Sequence, residues 1–185
     1  GKMGNGTYRL TGVASLDGNR LDRMNFNFIA DNLGVESSFF HGPIDLTASI
    51  TDSDLYGRKM PKLTGQLNLH DCLISMPSIP DSDSDLSEIA LDLTLNVGDH
   101  VRAYSPALYD MYLTGSAHFE GSTMYPKPSG TISVKRGGTV RYLKNVFNIR
   151  EGSVMFNQVD SFLPSIDFSA TTKLTRTRIF LDMKG

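Results

Sequence analysis

Apolar residues recur at every second position along most of this chain. Met24, Phe26, Phe28 and Ala30 have Asn25 and Asn27 between them, and Ile44, Leu46, Ala48 and Ile50 enclose Asp45, Thr47 and Ser49. Ile89, Leu91, Leu93, Leu95 and Val97 alternate with Ala90, Asp92, Thr94 and Asn96. Ile166, Phe168 and Ala170 follow, then Ile179, Leu181 and Met183. A period of two sends successive side chains to opposite sides of a strand, so each run has one apolar and one wet face, as in antiparallel sheets. No useful stretch has the 3.6-residue period of a helix. Turn residues such as "DGN" (17–19), "HGP" (41–43) and "YPKPSG" (125–130) are expected to separate the strands. The predicted fold class is all-β.

A Gly-led unit recurs. Leu10-Thr11-Gly12, Leu63-Thr64-Gly65 and Leu113-Thr114-Gly115 each precede apolar residues two and four positions on, and Pro128-Ser129-Gly130 opens a fourth copy. Repetition of a strand-turn unit suggests an elongated sheet rather than a compact barrel. Residues 75–88, "SMPSIPDSDSDLSE", break the pattern and read as an exposed acidic loop. Strand alternation resumes after it, so residues 1–185 are read as one domain.

Composition narrows the function classes. The net charge of −2 lacks the basic excess of a nucleic-acid binder. A lone Cys72 cannot form an internal disulfide, and no apolar run approaches the 18 residues or more that span a bilayer. The opening "GKMGNGTYRL" has no signal-peptide pattern, as expected of an internal piece of a longer protein.

Candidate chemistry is sparse. Asp81, Asp83 and Asp85 alternate like the start of a calcium loop, but Leu86 stands where such a loop needs Gly. His41, His70, His100 and His118 lack paired ligand spacing, and no nucleophile motif is present. We therefore expect a non-enzymatic protein with no cofactor and no metal. The segment "GTISVKRGGTVRYLKNVFNIREGSVMF" (130–156) is rich in Gly and basic residues. A phosphate-binding loop would place Gly-Lys-Ser/Thr before a helix, whereas here Gly137 and Gly138 follow Lys135 and Arg136 within β-rich sequence. Its basic residues are assigned to the wet face or to strand ends. The apolar face either closes on a second sheet or stays open as a groove, and alternation alone does not distinguish the two.

One ordered set of segments carries a resemblance. In "SGTISVKRGGTVRYLKNVFNIREGSVMFNQVDSFLPSIDFSATTKL" (129–174), a Gly-led strand, an Arg-Gly turn and a Phe-x-Ile strand precede a Gly-x-Val-x-Phe strand and a Pro-led strand. The strand pair "LDLTLNVGDHVRAYSPALYDMYLTGSAHFEGS" (91–122) comes before it, and "LTGQLNLHDCLISMPS" (63–78) looks like a further copy of the unit. From about Leu91 to Gly185 the chain resembles the C-terminal region of the TamB family, the translocation and assembly module subunit of diderm bacteria. Residues 1–60 fit by pattern only, and the general shape is shared with AsmA-like proteins.

The resemblance implies an elongated, curved, mainly antiparallel sheet with an apolar concave groove, a β-taco or repeating β-groove. It implies a periplasmic segment of a protein anchored in the inner membrane, with phospholipid acyl chains as cargo and an Omp85-type outer-membrane barrel as a partner. The expected groove lining is Met24, Phe26, Phe28, Ile44, Leu46, Ile50, Leu67, Leu69, Leu91, Leu93, Leu95, Val97 and Phe119. It continues through Ile132, Val134, Val140, Tyr142, Phe147, Ile149, Val154, Phe156, Ile166, Phe168, Ile179 and Leu181. Two other roles stay open: an interaction scaffold that augments a barrel protein's strands, and a sealed β-solenoid adhesin.

Overall fold

A computed structural model describes residues 1–3, 6–17, 20–55, 57–75, 88–156, 164–174 and 176–185. The acidic run 76–87, including Asp81, Asp83 and Asp85, lies outside them. The described residues form strands β1 (Lys2–Met3), β2 (Gly6–Asp17), β3 (Arg20–Glu36), β4 (Phe40–Leu55), β5 (Arg58–Leu69) and β6 (Leu73–Ile74). The others are β7 (Ala90–Ser105), β8 (Tyr109–Ser122), β9 (Pro126–Val134), β10 (Thr139–Tyr142), β11 (Asn145–Phe156), β12 (Ser165–Leu174) and β13 (Thr177–Lys184). All thirteen join one sheet, and no helix occurs among the described residues. The fold is an elongated, curved, mainly antiparallel β-groove sheet.

Adjacent lanes of the sheet pair antiparallel throughout except at one place. β5 and β7 run parallel, with Leu63 beside Leu91 and Leu69 beside Val97. Between them the chain passes through the acidic segment, because a parallel neighbour requires a crossover rather than a tight turn. Two lanes of the sheet are each shared by two strands. β6 continues the lane of β5 between β4 and β7, and β10 continues that of β9 between β8 and β11.

Apart from a register shift at Ser15–Leu16, the interruptions line up across the sheet. β3 is bulged between Ala30 and Leu33, β7 between Val97 and Val101, and β11 between Ile149 and Glu151. The gaps 70–72 and 135–138 fall in the same band. Asn32, Asp71 and His100 take positive φ there (51°, 46° and 54°), a conformation that Asn, Asp and His tolerate better than most residues. Bulges bend a strand and sharpen its twist, so an aligned band creases the whole sheet.

Two expected separators turned out to be strand. "HGP" lies inside β4 and most of "YPKPSG" inside β9. Proline lacks a ladder donor, yet each of these prolines has an unpaired side available. Among the described residues Pro126 and Pro128 pair only with β8, the pairing of β11 with β9 beginning at Gly130. Pro43 pairs with Gly34 and faces the gap between β5 and β6.

Gly115 (φ +130°) pairs with Ile132, and a Cβ there would stand 2.2 Å from the Thr131 carbonyl oxygen. Gly34 has open space where its Cβ would be and no left-handed φ. Gly115→Ala should therefore cost about 1–3 kcal/mol and lower Tm by several degrees. Gly34→Ala should stay within about 0.5 kcal/mol, and thermal melts of both variants check the contrast.

Candidate functional site

Residues directly opposite each other in a sheet share a face, so the pairing registers trace the apolar positions from strand to strand. One row runs Phe28, Ala48, Gly65, Leu93, Phe119 and Pro128. The next runs Ala30, Leu46, Leu67, Leu95, Ala117, Gly130 and Phe156. A third joins Leu33, Ile44, Leu69, Val97, Gly115, Ile132, Val154 and Ile166. Beyond the bulges, Val101, Leu113 and Val134 continue the face, as do Phe168 with Met183 and Ala170 with Leu181.

Every expected lining residue falls on this one face. Met24, Phe26 and Phe28 stand on β3, and Ile50 on β4 opposite Phe26 and Leu63. Leu91 and Leu93 on β7 face Gly121 and Phe119. Val140 and Tyr142 on β10 share it with Phe147, Ile149, Val154 and Phe156 on β11. Ile166 and Phe168 on β12, and Ile179 and Leu181 on β13, complete it.

Their accessibility is not uniform. Leu69, Val97, Phe147 and Ile149 are buried, and Leu69 and Val97 join Cys72 and Val101 in a buried hydrophobic cluster. Tyr142, at 54% exposure, stands at a hairpin tip, and Ile50 and Ile179 are also exposed. Most of the rest, including Phe26, Leu46, Leu67, Leu93, Phe119, Phe156 and Phe168, are half-buried. A second sheet packed over them would bury that face as a core. Among the described residues all strands belong to one sheet, and no second sheet packs over that face.

Small residues on this face were not foreseen as lining. Phe26 pairs with Gly12, Phe156 with Gly130, and Phe168 with Gly152. Each aromatic thus stands opposite a residue with no side chain. A Cβ on Gly12 would lie 2.3 Å from the Phe26 ring, and the Phe119 and Phe156 rings approach to 6.5 Å between centroids. The signal was present in the repeat: if residues two and four after the Gly face inward, the Gly does too.

The opposite face is a hydrogen-bonded polar ladder. Asn68 Oδ1 accepts from Gln66 Nε2 (2.9 Å) and Asn96 Nδ2 (2.8 Å), while Lys62 Nζ reaches Asp92 at 2.7 Å. Arg102 donates twice to Asp110, and Lys135 pairs with Asp99 at 3.0 Å. Lys135 and Arg141 are exposed, and Arg150 occupies the β11 bulge, in keeping with basic residues on the wet face or at strand ends. His41 and His118 stand apart along this side while His70 and His100 share Asp71, and no group of three or more metal-ligating side chains occurs among the described residues.

At the crease, Asp71 is bonded to His100 Nδ1 (2.8 Å) and His70 Nδ1 (3.3 Å), which hold its carboxyl below the ordinary value of 3.8. A depressed carboxylate stabilises the fold above its unfolded pKa, and that contribution is lost as pH falls through the lower folded value. Asp71→Asn should thus be less stable than the parent above pH 3.8, and urea midpoints of the two chains should converge on further acidification. Beside it, burial and then the Asp71 charge push the Cys72 thiol up to about 11. Cys72 should resist thiol reagents at neutral pH in the native chain and react promptly in denaturant, as a timed alkylation would show.

A family model described as the TamB C-terminal domain matches residues 1–185, the whole chain. No curated protein matches the chain.

Proposed function

Because the chain belongs to the TamB family, a component of the bacterial envelope's translocation and assembly module, we propose that it carries phospholipid acyl chains along its apolar face. It would form a segment of a periplasm-spanning bridge between inner and outer membranes, within a protein anchored in the inner membrane. The observation that carries this reading is the continuous apolar face, crossing from β2 to β13 with no covering layer among the described residues. Contiguous exposed apolar area is costly in water and marks a binding surface.

Each acyl CH₂ that leaves water for this face contributes about 0.8 kcal/mol. Rows that repeat along the sheet offer similar energy at successive positions, so a chain can slide without a tight stop. Headgroups stay in water at the open side, and the step needs no bond chemistry. Leu93→Asp or Phe168→Asp interrupts the path with a charge that acyl chains cannot solvate. Either should reduce lipid crosslinking from neighbouring groove positions in living cells by about tenfold or more, whereas Thr94→Asp on the wet face should leave it unchanged. Equal crosslinking in all three variants would contradict the proposal.

A second reading rests on β13, which has one ladder partner, β12, among the described residues. A free edge can accept a strand from another protein, here an Omp85-type barrel or its substrate. Proline at a β13 position that abolishes partner capture while lipid crosslinks persist would favour that role.

A further inference from the structure

The hairpin ends on one long margin of the sheet share an unusual chemistry. The β7–β8, β10–β11 and β12–β13 turns lie at the same margin, because β7, β10 and β12 all run toward it. The Arg141 amide donates to the Leu108 carbonyl at 2.7 Å. Extending the pairing of Asn148 with Thr171 by three residues brings Leu174 beside Asn145. Each tip carries an exposed leucine: Leu108 at 55%, Leu143 at 75% and Leu174 at 44%.

Two further observations set this margin apart. Leu143 and Lys144 both take positive φ (46° and 66°) in the two-residue link between Tyr142 and Asn145. That turn favours Asn-Gly, and a bulky leucine held there is strained. Strained residues persist where the tip itself has work to do. Arg141, Lys144, Lys173, Arg176 and Arg178 are also exposed, and none has an ion pair among the described residues. Lys173 and Arg178 stand directly opposite each other, like charges that repel unless an anion lies between. With Arg150 they line a cleft of ≈ 510 Å³. The nearest acids on the same face of these strands, Glu151 and Asp182, sit two rows farther down.

We infer that these hairpin tips dock on an anionic bilayer surface, Leu143 and its neighbours entering the interface while the unpaired cations meet lipid phosphates. Exposed leucine and tyrosine interleaved with Lys and Arg is the chemistry of a membrane interface, where the apolar tips insert and the cations are held by the surface potential. Tyr142 lies on the groove side of the tip and Arg141 on the outer side. Docking therefore brings the open groove up to the acyl region of the leaflet. This inference goes beyond the acyl-carrying role and holds whether or not the groove carries lipid.

Co-sedimentation of the chain with vesicles of phosphatidylethanolamine and phosphatidylglycerol tests it, with pure phosphatidylcholine vesicles as the control. Binding should prefer the anionic vesicles and weaken as salt shortens the Debye length from about 10 to about 3 Å. The double variant Leu143→Asn/Lys144→Gly installs the favoured turn, so it should melt at a higher temperature than the parent yet bind vesicles about tenfold more weakly. Lys173→Glu/Arg176→Glu, which leaves that turn intact, should weaken binding by at least as much. Leu93→Asp, on the groove floor, should bind vesicles like the parent even if it abolishes acyl crosslinking. No preference for anionic vesicles, or parent-like binding by both double variants in folded form, would overturn the inference.

Discussion

The structure depends on cross-strand register. Side-chain direction alternates strictly along a strand, so a slip of one residue at any lane would send that strand's apolar set to the wet face. The registers hold from Leu10 opposite Phe28 to Ala170 opposite Leu181, and they recover after every bulge. A bulge with the wrong count would invert everything beyond it. In β7 the path passes from Val97 to Val101, in β3 from Ala30 to Leu33 and in β11 from Ile149 to Gly152, each time returning apolar residues to the same side.

Curvature is the second constraint. Side chains on a concave face converge, so large residues cannot stand at every position. The Leu-Thr-Gly units solve this by placing Gly12, Gly65 and Gly115 in the apolar rows, where rings or branched chains from neighbouring strands fill the space. On the convex side, amide and ion-pair ladders such as Gln66, Asn68 and Asn96 hold the polar side chains across lanes. A sheet with one satisfied polar face and one unsatisfied apolar face is suited to a ligand that is itself apolar along its length.

Much of this was legible in the sequence. Alternation from Met24 to Ala30 and from Ile89 to Val97 named both the strands and their inward residues, because period two is a property of the strand itself. The pairing of β5 with β7 was not legible, since a parallel crossover leaves no local mark in either strand. Nor were the bulges at Asn32 and His100 or the gap at Asp71, whose residues look like ordinary polar-face positions. "HGP" and "YPKPSG" misled because their prolines mark a missing partner on one side rather than the end of a strand. Leu143-Lys144 carries no turn signal at all, and only the backbone reveals it.

The central claim is that the open face accommodates acyl chains. The most direct measurement is the electron paramagnetic resonance spectrum of a phospholipid spin-labelled along its acyl chain, titrated into the purified protein. An acyl-carrying groove predicts an immobilised component that saturates with protein and disappears in Leu93→Asp. A spectrum that keeps the mobility of free or vesicular lipid at every protein concentration would contradict it.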